Sequence, residues 1–477
     1  MHRTLQPPIP RTQLTGHVAP FHTATSPFFI TPDELAFFEQ LGHHLLSFYQ
    51  AANQLYIDSF QGHQPCFVAE YLDFGKPESV VEYGRMNRFR QSLPGVIRPD
   101  LILTEDGMIA TELDSIPGGI GLTSNMSQSF PDESLIGGIN GMRDGFARMI
   151  RSLDVGARHA APLHNPLLAI VVSEESKDYR SEMDYLGEAL NEIGLQTFVL
   201  EPSEILFTED GLWVNQGEER VRIDILYRFF ELFDLKNIPK AELILYAAKK
   251  KQVVLTPPPK PQLEEKLLFA LFHHPVLKSF WQGHLGDETV SVLRKLFPKT
   301  WILDPRPIPP HAIIPDLVIG DFPVSRFLDL KHLSQKERHF VIKPSGFSEM
   351  AWGSRGVLVG HDLSEEAFGA GIEMALNSFY KTPHILQEFH KGRQVETEYQ
   401  DLRSSPSDKG GLEGVLRMKG RARLSPYYFV ERNTPILSGI LATICPLDKK
   451  LIHGMSDAVM MPCAVSNVGG PLAAPNQ

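Results

Sequence analysis

Lys343 ends an apolar run, Phe340-Val341-Ile342, and opens a stretch rich in small residues: Pro344, Ser345, Gly346, Gly353, Ser354, Arg355 and Gly356. The apolar run reads as a short buried strand, and the small-residue stretch as a loop. A lysine is thereby delivered to the mouth of a loop whose backbone N–H groups are little shielded by side chains, which is the chemistry of a polyphosphate cradle. The expectation is a nucleotide site.

A second chemistry lies far earlier in the chain. Glu112 and Asp114 are alternate residues at the end of an apolar strand, so both side chains share a face. Two carboxylates on one face suit a single hard cation, and Mg2+ takes oxygen ligands. A solvated acidic strand end is the other reading of the same pair. No recognisable set of nucleophile, histidine and acid occurs, which agrees with phosphoryl chemistry, where positioning and fixed charge do most of the work.

The sequence contains no G-x-x-x-x-G-K-[ST], no G-x-G-x-x-G between strand and helix, and no H-R-D with D-F-G. P-loop, dinucleotide and protein-kinase solutions are thereby excluded. Three cysteines, Cys66, Cys445 and Cys463, show no C-x-x-C spacing, and the 18 histidines form no H-E-x-x-H; neither a disulfide framework nor a structural zinc is expected. A formal charge of −11, with Lys249-Lys250-Lys251 as the only dense basic run, argues against a nucleic-acid partner. No apolar run reaches spanning or signal-peptide length, so a cytoplasmic protein with no membrane partner is expected.

These side chains need elements to position them. Thr31-Pro32-Asp33-Glu34 sets an N-cap, a first-turn proline and a capping-box acid ahead of Leu35, Phe38, Leu41, Leu45, Phe48, Ala52 and Leu55 at helical spacing, predicting a long helix. Residues 99–104 and 108–113 read as a hairpin turning at Asp106-Gly107, a register that sets Arg98 opposite Ser115. A glycine loop, Gly118 to Gly121, and an amphipathic helix over 135–153 come next. Residues 167–172, 181–193 and 195–200 then form a βαβ pattern with parallel pairing, and the strand after it carries Arg228 to its carboxyl end, the edge at which ligands sit in open parallel sheets. A largely β region with one helix, 363–379, capped at Asp362, fills 339–464. The expected organisation is an arm (1–27), a helix-plus-hairpin module (28–165), an α/β unit (166–262), a helical connector or lid (263–335), a nucleotide-binding domain (336–467) and a tail (468–477).

The lysine with its loop, the Gln387-Glu388-Phe389 segment behind it, and the strand of Arg417 and Lys419 together resemble the ATP-grasp fold. Their order after Arg98, Glu112-Leu113-Asp114 and Arg228 is similar to that of circularly permuted members such as eukaryotic glutathione synthetase and glutathionylspermidine synthetase. The resemblance implies an α+β / α/β architecture: a circularly permuted ATP-grasp fold with an inserted parallel βαβ substrate domain of the pre-ATP-grasp kind. ATP would be held by Lys343, Ser345, Gly346, Gly353, Ser354, Arg355, Gly356, Gln387, Glu388, Phe389 and Lys419. Mg2+ would be held by Glu112, Asp114 and, from the loop, Glu349, although Asp114 stands where the family often has Asn and Glu349 lies further from the lysine than the family's acid. Arg98, Arg228 and Arg417 would surround a carboxylate substrate, with Arg421 and Arg423 competing for the last place.

The reaction implied is a ligation. A carboxylate takes the γ-phosphoryl group of ATP, and an amine displaces phosphate from the acyl phosphate. A small-molecule acid and amine are the implied partners, and a homodimer is the candidate assembly. A small-molecule kinase and a nucleotide-binding protein without turnover are the alternatives. The glycine stretches at 118–121 and 346–356 would act as lids, and His453 with Asp457 would belong to the core or line the substrate cavity.

Overall fold

The helix Pro32–Phe60 begins as its sequence dictates: the Thr31 hydroxyl accepts from the Glu34 N–H at 3.1 Å, and the Glu34 carboxylate accepts from the Thr31 N–H at 2.8 Å. Its buried stripe, including Phe38, Leu41, Leu45, Phe48 and Leu55, packs on one face of a large sheet. Burying each such side chain contributes about 1.5–3 kcal/mol. Gly42 lets the sheet come close, because a Cβ there would lie 2.6 Å from the Tyr428 ring, whose hydroxyl donates to the Phe38 carbonyl at 2.7 Å.

The structure is a computed structural model describing residues 21–130, 133–153, 166–309, 312–400, 415–449, 451–452 and 457–466. Most of the expected arm, His453 and the whole of the expected tail lie outside the described residues. Among the described residues no helix is long and apolar enough to cross a membrane.

The large sheet draws on both ends of the chain. Its order is Gln394–Gln400, His22–Ala24, Val459–Val465, Thr434–Pro446, Val415–Glu431, Val96–Thr104 and Gly107–Asp114, with Phe28–Ile30 added beside Val459–Val465. Gln394–Gln400 also pairs with residues 415–421 of the long strand, so part of the sheet closes on itself. The strands from Gln394 onward therefore belong with the early hairpin and not with the lysine strand.

The lysine strand lies in a separate, antiparallel sheet ordered Thr300–Ile302, His384–Glu388, Phe340–Pro344, Leu358–Val359. Alternation divides its faces. Phe340, Ile342 and Leu386 pack on Phe368 and Ile372 of the helix Glu365–Asn377, leaving Lys343 and Gln387 on the opposite face. That helix is capped by Ser364, whose hydroxyl accepts from the Ala367 N–H at 3.1 Å, and not by Asp362.

The third unit is a parallel sheet ordered Val254–Thr256, Ile225–Phe229, Leu168–Val172, Thr197–Leu200. The helix Arg180–Glu192 makes the expected crossover, and Gly194, at φ +77°, follows its end.

The early hairpin departs from its expected register. Thr104 pairs with Gly107, so the turn is Glu105-Asp106, and a bulge between Asp100 and Leu101 shifts the ladder once more. Arg98 consequently faces Asp114 and not Ser115.

Candidate active site

The bulge opposite Asp100 leaves Thr111 without a ladder partner, and bulges re-aim groups in this way. The Thr111 carbonyl meets the Nζ of Lys343 at 2.9 Å, and the Gln387 side-chain oxygen accepts from the same Nζ at 2.7 Å. Lys343 is buried and makes no carboxylate ion pair among the described residues. Its pKa is lowered to about 8, chiefly by burial, with Glu112 and Asp100 acting against the shift and neighbouring Lys266 with it.

Lys266 is a residue the sequence reading missed. It directly precedes the helix Leu267–His273, is buried, and lies 2.6 Å from a Glu112 oxygen. Its pKa is raised: burial pulls it down, but Glu112, with Glu265 and Asp114, outweighs that cost. A lysine preceding an apolar run, Leu267 to Phe272, was the available signal. Two ammonium groups that repel one another inside a protein are costly unless an anion joins them.

The large sheet presents its own charged face. Arg98 pairs with Asp114 at 2.8 Å and with Asp100 at 3.4 Å; Arg423 pairs with Asp100 at 2.9 Å; and Ser425 donates to Asp100 at 3.0 Å. Arg423 and Arg98 hold the Asp100 pKa low despite its burial. Burial, and Glu112 beside it, push that of Asp114 up against the pull of Arg98. The Nε groups of Arg98, Arg421 and Arg423 are buried without a hydrogen-bond partner among the described residues. Arg98 and Arg423 are thus brought together.

Arg228 reaches the same junction but is already saturated: Nη1 donates to the Phe230 carbonyl at 2.7 Å, Nε and Nη2 lie near the Pro257 and Pro258 carbonyls, and Nη2 forms an ion pair with Glu264. Arg417 and Lys419, in contrast, sit on the outer ribbon, with side chains 80% and 68% exposed and paired with Glu398 and Glu396. The structure does not bring either to the buried lysines. Arg423, six residues after Arg417 on the same strand, is the one that reaches Asp100 beside Arg98.

The loop after Lys343 is closed at its start by an internal carboxylate. Glu265 accepts from the Ser345 hydroxyl at 2.6 Å and from the Gly346 N–H at 3.0 Å, and pairs with Lys76. A Cβ on Gly346 would lie 2.0 Å from the Glu264 carbonyl. Ser345 and Gly346 are therefore engaged by the protein itself. Beyond them, Glu349–Ser354 coil into a 3-10 turn, with Gly353 at φ +59° and the Gly356 N–H donating to the Met350 carbonyl at 2.8 Å. The Ser354 side chain lies outside the described residues. Arg355 pairs with Glu175 at 2.7 Å.

The expected three-carboxylate metal set is not assembled. Glu349 is exposed and bonded to Lys236 at 2.6 Å, and among the described residues no group of three His, Cys, Asp or Glu could hold a metal ion. Glu112 and Asp114 remain adjacent on one strand face.

Behind Lys343, the Gln387 amide donates to Thr300 at 3.2 Å, the Glu388 N–H to the Lys299 carbonyl at 2.9 Å, and the Phe389 N–H to the His339 carbonyl at 2.9 Å. Phe389 packs edge-on against His361, with centroids 4.5 Å apart. A cavity of about 1270 Å³ opens nearby, lined by Trp301, His273, Arg294 and Arg306 among others; Thr300 lines it but Lys343 and Gln387 do not.

The glycines at 118–121 are packed and pinned. A Cβ on Gly118 would lie 2.2 Å from the Tyr179 ring, and one on Gly121 would lie 1.9 Å from the Glu182 carbonyl. The Glu182 carboxylate accepts from the Gly119 and Leu122 N–H groups at 2.7 and 3.0 Å, satisfying the start of the helix Ile120–Gln128. A free lid at this point is not what the structure shows.

No family model and no curated protein matches the sequence. Solved structures do. A glutathione synthetase-like effector from Globodera pallida, in its apo form, superposes with a TM-score of 0.53 at 10% identity over 93% of this chain and 90% of that one. The fold is glutathione-synthetase-like. A protein from Methylobacillus flagellatus KT bearing the provisional name gamma-glutamylcysteine synthetase aligns over 86% of this chain and 89% of its own, at 12% identity and a TM-score of 0.37. The glutathione-synthetase-like fold agrees with the mixed α/β architecture of several sheets described above.

Proposed function

We propose that the chain is an ATP- and Mg2+-dependent ligase that joins a carboxylate to an amine through an acyl phosphate, on a circularly permuted ATP-grasp frame. The observation that carries this reading is the convergence of Lys343 and Lys266 in one buried space where, among the described residues, Lys343 has only neutral acceptors. A triphosphate would supply the missing anion, and replacing neutral acceptors with phosphate oxygens strengthens each bond.

Lys343 and Lys266 would hold the phosphates, with the turn at Glu349–Ser354 and Arg355 at their outer edge. Gln387, Glu388 and Phe389 would face the base. Glu112 and Asp114 would hold Mg2+ brought with the phosphates, as Mg2+ commonly binds through one or two carboxylates plus phosphate oxygens, and there it would neutralise charge on the transferred group. Arg98 and Arg423, with unmade Nε donors, would orient the acid's carboxylate.

The test is product analysis with purified protein, ATP and Mg2+ across panels of acids and amines. Release of ADP only when an acid and an amine are both present supports the ligase. ADP release with a single acceptor supports a kinase, and nucleotide binding without ADP release with any pair supports a non-catalytic binder.

A further inference from the structure

The cavity of about 1270 Å³ has no part in the proposed ligation, since Lys343, Lys266, Gln387 and Arg98 all lie outside its lining. It opens along Thr300–Ile302, the edge strand of the lysine sheet, and is bounded by His273 of the helix Leu267–His273 and by Glu373 and Leu376 of the helix Glu365–Asn377. Small-molecule sites commonly occupy roughly 300–1,000 Å³, so the space is ample for one ligand.

Part of its wall is fixed and electrically closed. Asp304 accepts from the Tyr71 hydroxyl and from Arg306 Nη2, each at 2.6 Å, and the Arg306 guanidinium lies 5.1 and 5.5 Å from the Tyr71 and Phe379 ring centroids. The Trp301 indole N–H donates to the Pro315 carbonyl at 2.8 Å, pinning the connector that carries Ile308 and Ile313. Glu373 pairs with Lys331, and Arg326 with Asp329. The remaining lining charges do not balance. Lys278, Arg294 and Lys299 form no ion pair among the described residues, and Asp316 is the one lining carboxylate in the same condition. Arg294 and Lys299 stand on either side of Phe297 in the chain, and the Phe297 carbonyl lies 3.1 Å from His273 Nε2. Burial lowers the His273 pKa to about 4, with the Phe297 carbonyl acting against the shift and Arg294 and Lys299 with it, so the two cations meet at one neutral imidazole. The same cavity is lined by Trp301 and by Ile308, Ile313 and Leu328, three exposed aliphatic side chains.

We propose that this cavity is a second ligand site, separate from the nucleotide site, for an organic anion with an apolar body: Arg294 and Lys299 hold the acidic group, and Trp301, Ile308 and Ile313 cover the body. A guanidinium beside an ammonium suits an acidic group with several oxygens, and the aliphatic side chains gain by leaving water. An inorganic anion would leave those side chains wet, and an uncharged ligand would leave the cations unmatched. A cationic ligand would meet three unpaired cations and a single carboxylate.

The probe is naphthalene-1-sulfonate, titrated by calorimetry into the full chain, with and without Mg2+ and a saturating non-hydrolysable ATP analogue; 1-naphthol and methanesulfonate supply the body and the charge alone. The variants are Arg294→Gln with Lys299→Gln, Ile313→Ser, and Lys295→Gln, which alters an exposed lysine outside the lining; all four side chains are exposed, so folding is retained. Expected are binding of the sulfonate by the wild type whether or not the analogue is present, at least about ten-fold tighter than either half-probe, a loss of about ten-fold or more in the double variant, about three-fold or more in Ile313→Ser, and no change in Lys295→Gln. Absence of binding by the wild type overturns the proposal, as does equal affinity in the wild type and the double variant. An equal loss in Lys295→Gln and the double variant, or displacement of the probe by the ATP analogue, overturns it as well. Sulfonate binding that depends on Arg294 and Lys299 in a protein that does not bind the ATP analogue supports the second site and sinks the ligase reading.

Discussion

Lys343, on the small sheet, donates from Nζ to the Thr111 carbonyl on the large sheet at 2.9 Å, across 232 residues of sequence. The bulge in the early hairpin puts that acceptor there. One lysine thereby ties together the two sheets between which we place the nucleotide, using bonds to neutral oxygens that an arriving phosphate can replace.

Lys343→Met is expected to weaken ATP binding by at least ten-fold, in line with about 1.5–3 kcal/mol for a hydrogen bond to a charged group. The wild type should also show a pH signature. With the free lysine's pKa lowered to about 8 by burial, the ammonium is present below that value and lost above it, so affinity falls as pH rises past 8, by up to about ten-fold per unit. The methionine variant should lack this fall. Titration of an ATP analogue at pH 7 and pH 9 checks both; equal affinity in the two proteins at pH 7 would remove Lys343 from the site.

Arg228 and Arg417 should separate cleanly in stability. Arg228→Met leaves the Glu264 carboxylate buried without its partner, beside Glu231, and breaking a buried pair from one side costs about 3–5 kcal/mol. Arg417→Met touches an exposed pair with Glu398, for which about 0–1 kcal/mol is usual. Urea unfolding of the two variants decides it, and a similar midpoint shift in both would contradict the burial difference.

The same contrast shows where the sequence is legible. The capping box at Thr31 and Glu34, the βαβ unit ending in Gly194 and the strand ending in Lys343 were readable because cap chemistry and periodicity are local. The Arg98 register was not, because a turn shifted by one residue and a bulge at Thr111 leave almost no local signature. Arg417 and Arg423 could not be ranked either. They share one strand face, and only pairing with Gln394–Gln400 on one stretch and with Val96–Thr104 on the next makes the first exposed and the second buried. Lys266 lacked any motif; its role arises from Glu112, brought to it by the fold.

Two glycines should respond in opposite directions to alanine. Gly121→Ala places a Cβ 1.9 Å from the Glu182 carbonyl, a backbone clash expected to cost roughly 1–3 kcal/mol or more. Gly283, inside the helix Lys278–Leu296 and exposed, has nothing within 4 Å of such a Cβ, so Gly283→Ala should stabilise by up to about 1 kcal/mol. Thermal unfolding of both variants reads the difference; tolerance of alanine at 121 would mean that the glycine stretch moves freely after all.

Glu182 is the group whose pH dependence is easiest to isolate. Burial raises its pKa from 4.5 to about 7, against the pull of the Gly119 and Leu122 N–H groups. A raised folded-state value means that the folded protein binds the proton more readily than the unfolded chain, so this contribution is fully present below pH 4.5 and declines as pH rises to about 7. The span corresponds to about 3 kcal/mol at most. Glu231, Glu264 and Asp114 also have raised values, so the slope of the wild type alone is not diagnostic. Glu182→Gln retains an oxygen for one of the two N–H groups but cannot ionise. The stability of the wild type minus that of the variant should therefore be larger at pH 5 than at pH 8 by up to about 3 kcal/mol. Urea unfolding of both proteins at the two pH values measures that difference, and a value independent of pH would show that Glu182 ionises in the folded protein as an ordinary carboxylate does.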